Sequence, residues 1–408
     1  MAEKTFAKHV LYLSYDGMTD PLGQSQVLPY LIGLSKKGYV FTLISFEKHE
    51  RFEKDKAVIQ KICDDSNIDW KPQFYTKKPP VLSTLKDIWK MNRLAKKTHA
   101  SKPIEIIHCR SYISALIGLG FKRKHGVTFL FDMRGFWADE RVEGKIWNLK
   151  NPLFKWVYSY FKKKEKQFFS ESNGIVSLTH AGKKIILDWK LPHVTDDKIA
   201  VIPCCVDLKL FDPTQIQKGK QHELKFNLKL ENKFVVGYIG SIGTWYMLDE
   251  MLATFKEILT QNENAVFLFI TRENQETILN SAKKLNLNES NFRFSSCVHS
   301  EVPLYISLFD CSIFYIRPSF SKQASSPTKQ GELMAMGIPI ICNSGVGDTT
   351  EIIQKYHSGL IDWNGETIGQ LETVFNKEET IAGAKDFFDL TLGTEKYAEK
   401  YVQLLKKN

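Results

Sequence analysis

Short, nearly all-apolar runs alternate along this chain with longer stretches whose apolar residues recur at helical spacing, which predicts strands and helices in turn. In the first half the strand runs are residues 9–14, 41–46, 104–109, 128–132 and 174–178, with helical spacing between them as at 27–34 and 82–95. A break follows at Ile202-Pro203-Cys204-Cys205-Val206-Asp207, then Phe211-Asp212-Pro213 and a polar stretch through Lys225, which reads as an interdomain linker. The alternation resumes with runs at 234–239, 265–270, 292–295, 311–316 and 339–342. A last helix over 394–407 has apolar residues at Tyr397, Tyr401, Val402 and Leu405 with which to pack. Such alternation builds parallel sheets with crossover helices, and places ligands at the carboxyl ends of the strands. The expected fold is therefore α/β: two Rossmann-like doubly wound domains facing a central cleft, at 1–203 and 204–385, with 386–408 as a closing helix.

A chain of 408 residues is long for one core, so its length also asks for two domains. With 43% hydrophobic and 12% aromatic residues and no low-complexity tract, disorder is excluded. The first residues hold only a short apolar run ending at Asp16 and Gly17, with no small-residue cleavage site, and so read as a strand and not a signal peptide. The longest apolar stretch, 302–316, contains Pro303 and Asp310 and falls short of the roughly 18 residues a membrane span needs. Cys63, Cys109, Cys204, Cys205, Cys297, Cys311 and Cys342 are scattered without a Cys-x-x-Cys, as buried thiols of a cytoplasmic protein are.

Charge changes this picture in one place. The net +10 is concentrated in two runs of the first half. Residues 77–97 carry Lys77, Lys78, Lys86, Lys90, Arg93, Lys96 and Lys97 against Asp87, and residues 141–166 are similarly lysine-rich against Glu143 and Glu165. Two readings stay open: a solvated lysine face, or an anionic partner such as phospholipid headgroups, a lipid diphosphate or a nucleic acid. Within 153–169, Phe154, Trp156, Tyr158, Tyr160, Phe161, Phe168 and Phe169 alternate with lysines. That composition suits either a helix packed on the first domain with its lysines outward, or one lying peripherally on an anionic membrane surface.

Three polar clusters fall at strand ends. After the first strand, Gly23 allows close backbone approach to a ligand and Ser25 can cap the next helix. The segment is not Gly-x-Gly-x-x-Gly, which disfavours a nicotinamide or flavin cofactor. The second cluster, Asp132, Arg134, Asp139, Glu140, Arg141 and Glu143 beside Phe136 and Trp137, reads either as a sugar and phosphate site or as a self-satisfied ion-pair network. In the third, the loop Ala324-Ser325-Ser326-Pro327-Thr328-Lys329 feeds a short helix carrying Glu332, which Gly337 and Pro339 stop. Amides at that helix start can hold a diphosphate, with Lys329 as a point charge and Glu332 reaching a ribose diol.

These segments, in this order and spacing, together with Val201-Ile202-Pro203-Cys204-Cys205-Val206-Asp207, Val236-Gly237-Tyr238-Ile239-Gly240-Ser241 and Gly345-Val346-Gly347-Asp348, resemble the retaining GT-B fold glycosyltransferases of family 4 (glycosyl transferases group 1). The resemblance spans essentially the whole chain. It implies that the second domain binds a nucleotide sugar, that the first holds a glycan or lipid-linked acceptor, and that the closing helix packs back toward the first domain. It also implies that Glu332, at the second glutamate of the family's Glu-x7-Glu motif, contacts ribose, that Gly23 lies near the donor phosphates and acceptor, and that His299 lies where the base is read. The chain departs from the family at Ala324, where the first glutamate is usual, so Ser325, Ser326, Pro327 and Thr328 are expected to hold the sugar. It departs again at Gly240, Ser241, Gly243 and Thr244, which replace a basic pair, leaving Arg272 and Lys329 as the cations for the diphosphate. In Ile107-His108-Cys109-Arg110-Ser111, Arg110 is expected to face the cleft and hold acceptor phosphate, with His108 in the core.

The chemistry expected is electrostatic. Breaking the bond from anomeric carbon to phosphate leaves charge on the diphosphate, to be met by amides and cations, with the acceptor oxygen held close. Gly23, Arg110, Lys329 and Glu332 form the expected catalytic set, and Asp132, Arg134, Asp139 and Glu140 the expected acceptor site. No Asp-x-Asp stands at a strand end, so neither metal nor other cofactor is expected beyond the nucleotide sugar itself, and no nucleic acid as partner. Two other readings share the architecture: a nucleotide-sugar epimerase or hydrolase, and a non-catalytic binding scaffold, which the missing glutamate and basic pair motivate.

Overall fold

The computed structural model describes residues 8–79 and 81–406; the opening residues 1–7 and Lys407, which the sequence reading included in its first strand region and last helix, lie outside them. The chain divides into two compact units, one running to Pro203 and taking in the chain from Leu390 onward, the other Cys204–Asp389.

In the first unit seven parallel strands, β1 (Lys8–Ser14), β2 (Tyr39–Glu47), β3 (Ile68–Phe74), β4 (Ile106–Arg110), β5 (Thr128–Asp132), β6 (Gly174–Ser177) and β7 (Ile199–Val201), form one sheet in the order β3-β2-β1-β4-β5-β6-β7. Strands β1, β4 and β5 are buried on both faces, which is why they read as unbroken apolar runs. The expected strands recur within a residue or two. β3 and β7 were not legible, and both are edge strands: β3 carries Asp69, Lys71 and Pro72, and the proline costs nothing where one side of the strand is unpaired. The order reverses between β1 and β4, and this is the switch point at whose carboxyl edge ligands bind.

The closing helix, Leu390–Lys406, packs on the Leu28–Ser35 helix of this unit. Thr394 fills the space above Gly33, and the rings of Tyr30 and Tyr397 meet edge to face at 5.2 Å.

The second unit repeats the plan with β8 (Phe234–Ile239), β9 (Ala265–Ile270), β10 (Phe292–Ser295), β11 (Cys311–Phe314), β12 (Ile340–Cys342) and β13 (Gly359–Ile361), all parallel in the order β10-β9-β8-β11-β12-β13. Its switch point lies between β8 and β11. The stretch read as linker is part of this unit: Val206 and Phe211 lie in its core and Lys218–Asn227 is a helix. Polar composition hid that helix, because none of its residues is buried.

Candidate active site

The second unit's switch point gathers the third sequence cluster. Chain leaving β8 turns at Gly240, whose φ of +101° an L side chain rarely adopts, and again at Gly243 with φ +51°. Facing it is the helix Thr328–Ala335, with Pro327 at its N-cap and no side-chain acceptor for its first amides. Lys329, in the first turn, is 7% exposed. Its ammonium sits over the rings of Tyr246 at 3.7 Å and Tyr238 at 3.9 Å, and a Cβ added at Gly240 would lie 3.8 Å from it. Nζ is buried without a hydrogen-bond partner. Burial holds its pKa well below the ordinary lysine range, against an upward pull from Glu332.

Three residues on, one turn of the same helix, Glu332 is nearly buried, with Oε1 3.7 Å from Nε2 of His299. The His299 ring lies edge to face on Phe211 at 5.6 Å and is half exposed, so it offers a surface to a flat group. Glu332, Lys329 and the Gly240 turn thus line one edge of this unit, with His299 beside Glu332. The other expected donor residues divide. Ser241 donates its hydroxyl to Glu273, and Thr244 accepts at its carbonyl from Arg317 (3.0 Å). Ser326 accepts from the Cys204 amide at 3.2 Å, so that hydroxyl braces the loop, while Ser325 and Thr328 are half-buried beside the buried Pro327. Arg272 is exposed just beyond β9. Of the two cations expected, only Lys329 is enclosed.

At the first unit's switch point, Arg110 ends β4, 4% exposed, with Nε 3.3 Å from Asp16 Oδ2 and Nη1 buried without a partner. Asp132 ends β5 and is wholly buried, which corrects its expected role as an acceptor contact: Oδ2 accepts from Tyr397 (3.0 Å) and lies 3.6 Å from His108 Nε2. Burial alone would raise its pKa, but Arg134, His108 and Arg110 outweigh that and lower it. His108 is in the core as expected, with Nδ1 2.6 Å from the Tyr401 hydroxyl; burial lowers its pKa more than Asp132 raises it. Arg134 holds φ +56° with Nη1 3.9 Å from Asp132 Oδ1, and Ser111, after Arg110, holds φ +66°. Two non-glycine residues in the left-handed region thus stand at adjacent strand ends.

Asp139 is a second correction. It pairs with Lys162 at 2.7 Å and accepts from Tyr158 at 2.8 Å, so it belongs to the self-satisfied network and not to an open acceptor site. Glu140 lies half-buried in the same helix, Trp137–Glu143. Gly23 is buried, and a Cβ there would stand 2.2 Å from the Gly17 carbonyl oxygen, so this glycine permits packing between helix and loop. That loop is held by a residue the sequence reading passed over. Glu47, the last residue of β2, is fully buried and accepts from the amides of Met18 (2.8 Å) and Thr19 (3.0 Å) and from the hydroxyls of Thr19 (2.6 Å) and Ser45 (2.5 Å). An acid closing an otherwise apolar strand was the available signal. Among the described residues no group of three or more His, Cys, Asp or Glu side chains is placed to hold a metal ion.

Two Rossmann-like units, the second with a buried lysine beside a glycine turn at its switch point, make up a GT-B fold. The family model described as Glycosyltransferase Family 4 matches residues 27–210, and the model described as Glycosyl transferases group 1 matches 220–369. The chain belongs to this family of glycosyltransferases, which draw a sugar from a nucleotide donor. Among solved structures it is similar to Alr3699/HepE of Anabaena in complex with UDP (12% identity, TM-score 0.70, covering 97% of this chain and 100% of that one). It is also similar to a glycosyltransferase of Rickettsia africae (16%, TM-score 0.70, 98% and 99%). UDP-GlcNAc 2-epimerase of Neisseria meningitidis shares the fold less closely (12%, TM-score 0.57, 97% and 99%). At such identities the likeness shows the fold. No curated protein matches the chain.

Proposed function

We propose that the second unit binds the nucleotide sugar with its diphosphate against Lys329, and that the sugar, a hexose, passes to an acceptor oxygen with retention of anomeric configuration. The observation that carries this is the Lys329 ammonium, buried with no hydrogen-bond acceptor. A buried ion costs several kcal/mol unless a counter-charge meets it, and an entering diphosphate supplies one. As the bond to the anomeric carbon breaks, charge grows on the same oxygens, so the contact strengthens toward the transition state. First-turn amides of Thr328–Ala335 add to it, and Glu332 accepts from the ribose diol. With the leaving charge met by an ammonium and amides, transfer proceeds without a protein-held metal, and the leaving phosphate takes the acceptor proton. In the first unit, the free Nη1 of Arg110 anchors an anionic acceptor, a lipid-linked or polysaccharide glycan precursor, on the cytoplasmic side. The complex of the Anabaena protein with UDP makes uridine diphosphate the first ligand to try.

The test is calorimetric titration with nucleoside diphosphates and their sugars, followed by nuclear magnetic resonance of the product anomer. Micromolar binding that Lys329→Met weakens, and product of the donor's anomeric configuration, support the reading. Inverted product, or an epimerised sugar nucleotide formed without acceptor, contradicts it.

A further inference from the structure

The two basic runs of the first unit become two helices, Leu82–Ser101 and Pro152–Glu171, and neither is absorbed by the sugar-transfer reading. Each leaves an apolar stripe in water. On the first, Leu82, Leu85 and Trp89 are exposed at spacings of three and four, Trp89 by 57%; on the second, Leu153, Trp156 and Tyr160 repeat that pattern, Trp156 by 63%. Both helices flank the same neighbour, Ser111–His125. The connections β3 to β4, β4 to β5 and β5 to β6 all step across the sheet in one direction, so right-handed crossovers lay these three helices in one layer. A crossover helix runs against its strands, so its first turns lie at their carboxyl edge. Both stripes occupy the first turns, and both therefore sit at the sheet edge that carries Arg110.

The exposed charge around the stripes is mainly positive. Lys77, Lys78, Lys86 and Arg93 surround the first and Lys145, Lys150, Lys155 and Lys163 the second, all exposed. Of the acids in the two basic runs, 77–97 and 141–166, Asp87 and Glu165 are wholly buried and paired with Lys90 and Lys162, and Glu143 is half-buried on the preceding helix. Lysine is depleted in protein interfaces, whereas exposed tryptophan and leucine ringed by lysines are what an anionic bilayer surface recruits. Among the described residues no helix is long and apolar enough to cross a membrane, so the association is peripheral.

We propose that these two helices form one docking face for an anionic phospholipid surface, engaging it together through the Trp89 and Trp156 stripes. Docking brings the Arg110 edge to the headgroup plane, where a lipid-linked acceptor presents its phosphate; that use of the face rests on the proposed acceptor, while the face itself does not.

The experiment is co-sedimentation with vesicles of phosphatidylcholine alone and of phosphatidylcholine mixed with phosphatidylglycerol. It is run on the full chain, Leu85→Ser/Trp89→Ser and Leu153→Ser/Trp156→Ser, with uridine diphosphate titrated into each variant in parallel. The full chain should bind only the anionic vesicles, with a blue shift of tryptophan emission, and each double variant should lose roughly tenfold in partition while binding uridine diphosphate unchanged. No binding to anionic vesicles overturns the proposal, as does loss confined to one helix's variant, or capture of duplex DNA without capture of vesicles. Vesicle binding with no affinity for any nucleotide sustains the face and removes the donor reading instead.

Discussion

Replacing Lys329 with methionine keeps the length of the side chain and deletes its charge, and the structure sets opposite consequences for stability and for binding. In the free protein the ammonium is buried without a hydrogen bond. Exchanging a buried charge for an apolar group of similar volume is neutral or stabilising by about 1–4 kcal/mol. The contacts with Tyr238 and Tyr246 return about 2 kcal/mol of that to lysine, so the net gain for methionine is on the order of 1 kcal/mol. A unit of this size then melts roughly 2–4 °C higher. With a diphosphate bound, the variant forfeits a charge-assisted hydrogen bond of about 1.5–3 kcal/mol, or roughly 10- to 150-fold in affinity.

Protons report the same event. Burial depresses the lysine pKa in the folded state, so between that value and the unfolded value of about 10.4 the unfolded chain binds more protons and stability rises with pH. A diphosphate restores the charge, so binding in that window takes up as much as about one proton, read by calorimetry in buffers of different ionisation enthalpy. The methionine variant should show a higher melting temperature without ligand, a smaller shift with it, and no such uptake. A less stable variant that binds uridine diphosphate as well as the parent would refute the reasoning.

Glu332→Gln should cost roughly tenfold in affinity for a ribonucleoside diphosphate and little for its 2′-deoxy analogue, because only the former offers a diol to the carboxylate; equal losses for both would remove Glu332 from the ribose. Glu47→Ala leaves the Met18 and Thr19 amides and the Thr19 and Ser45 hydroxyls without this acceptor, and should lower the stability of the first unit by on the order of 3 kcal/mol in urea, whereas a change under about 1 kcal/mol would show the loop is held otherwise. Gly23→Ala, which drives a Cβ to 2.2 Å from a backbone oxygen, should destabilise by about 1–3 kcal/mol; a gain from helix propensity would contradict the packing role. His108 is neutral when folded while the unfolded chain protonates near pH 6.5, so the folded state binds fewer protons and stability falls as pH drops from about 6.5 through its lowered folded pKa. His108→Asn should flatten that slope, and an unchanged slope would place its origin elsewhere.

The central strands were legible because burial on both faces forces continuous apolar runs, as in Val10–Leu13 and Phe234–Ile239. Of the edge strands only β10 was, since β3 tolerates Lys71 and Pro72 and β7 and β13 are three residues long. That Lys329 and Glu332 share one helix start was legible because a loop-to-helix start with charges at fixed spacing is a local pattern. Asp132 and Asp139 were misplaced for the converse reason: their partners, Tyr397 and Lys162, come from distant parts of the chain, and composition cannot tell a carboxylate that waits for a ligand from one already satisfied. Nor could it show that Tyr238 and Tyr246, parted by the Gly240 turn, close over one ammonium.

The most direct measurement is the release of nucleoside diphosphate from a panel of nucleotide sugars, with and without a mixture of lipid-linked and soluble glycan acceptors, for the parent chain and Lys329→Met. Release that requires an acceptor, matches glycosylated product one for one and falls at least tenfold in the variant is the result predicted. Release or epimerisation without any acceptor, or turnover that Lys329→Met leaves unchanged, would contradict sugar transfer driven from that buried ammonium.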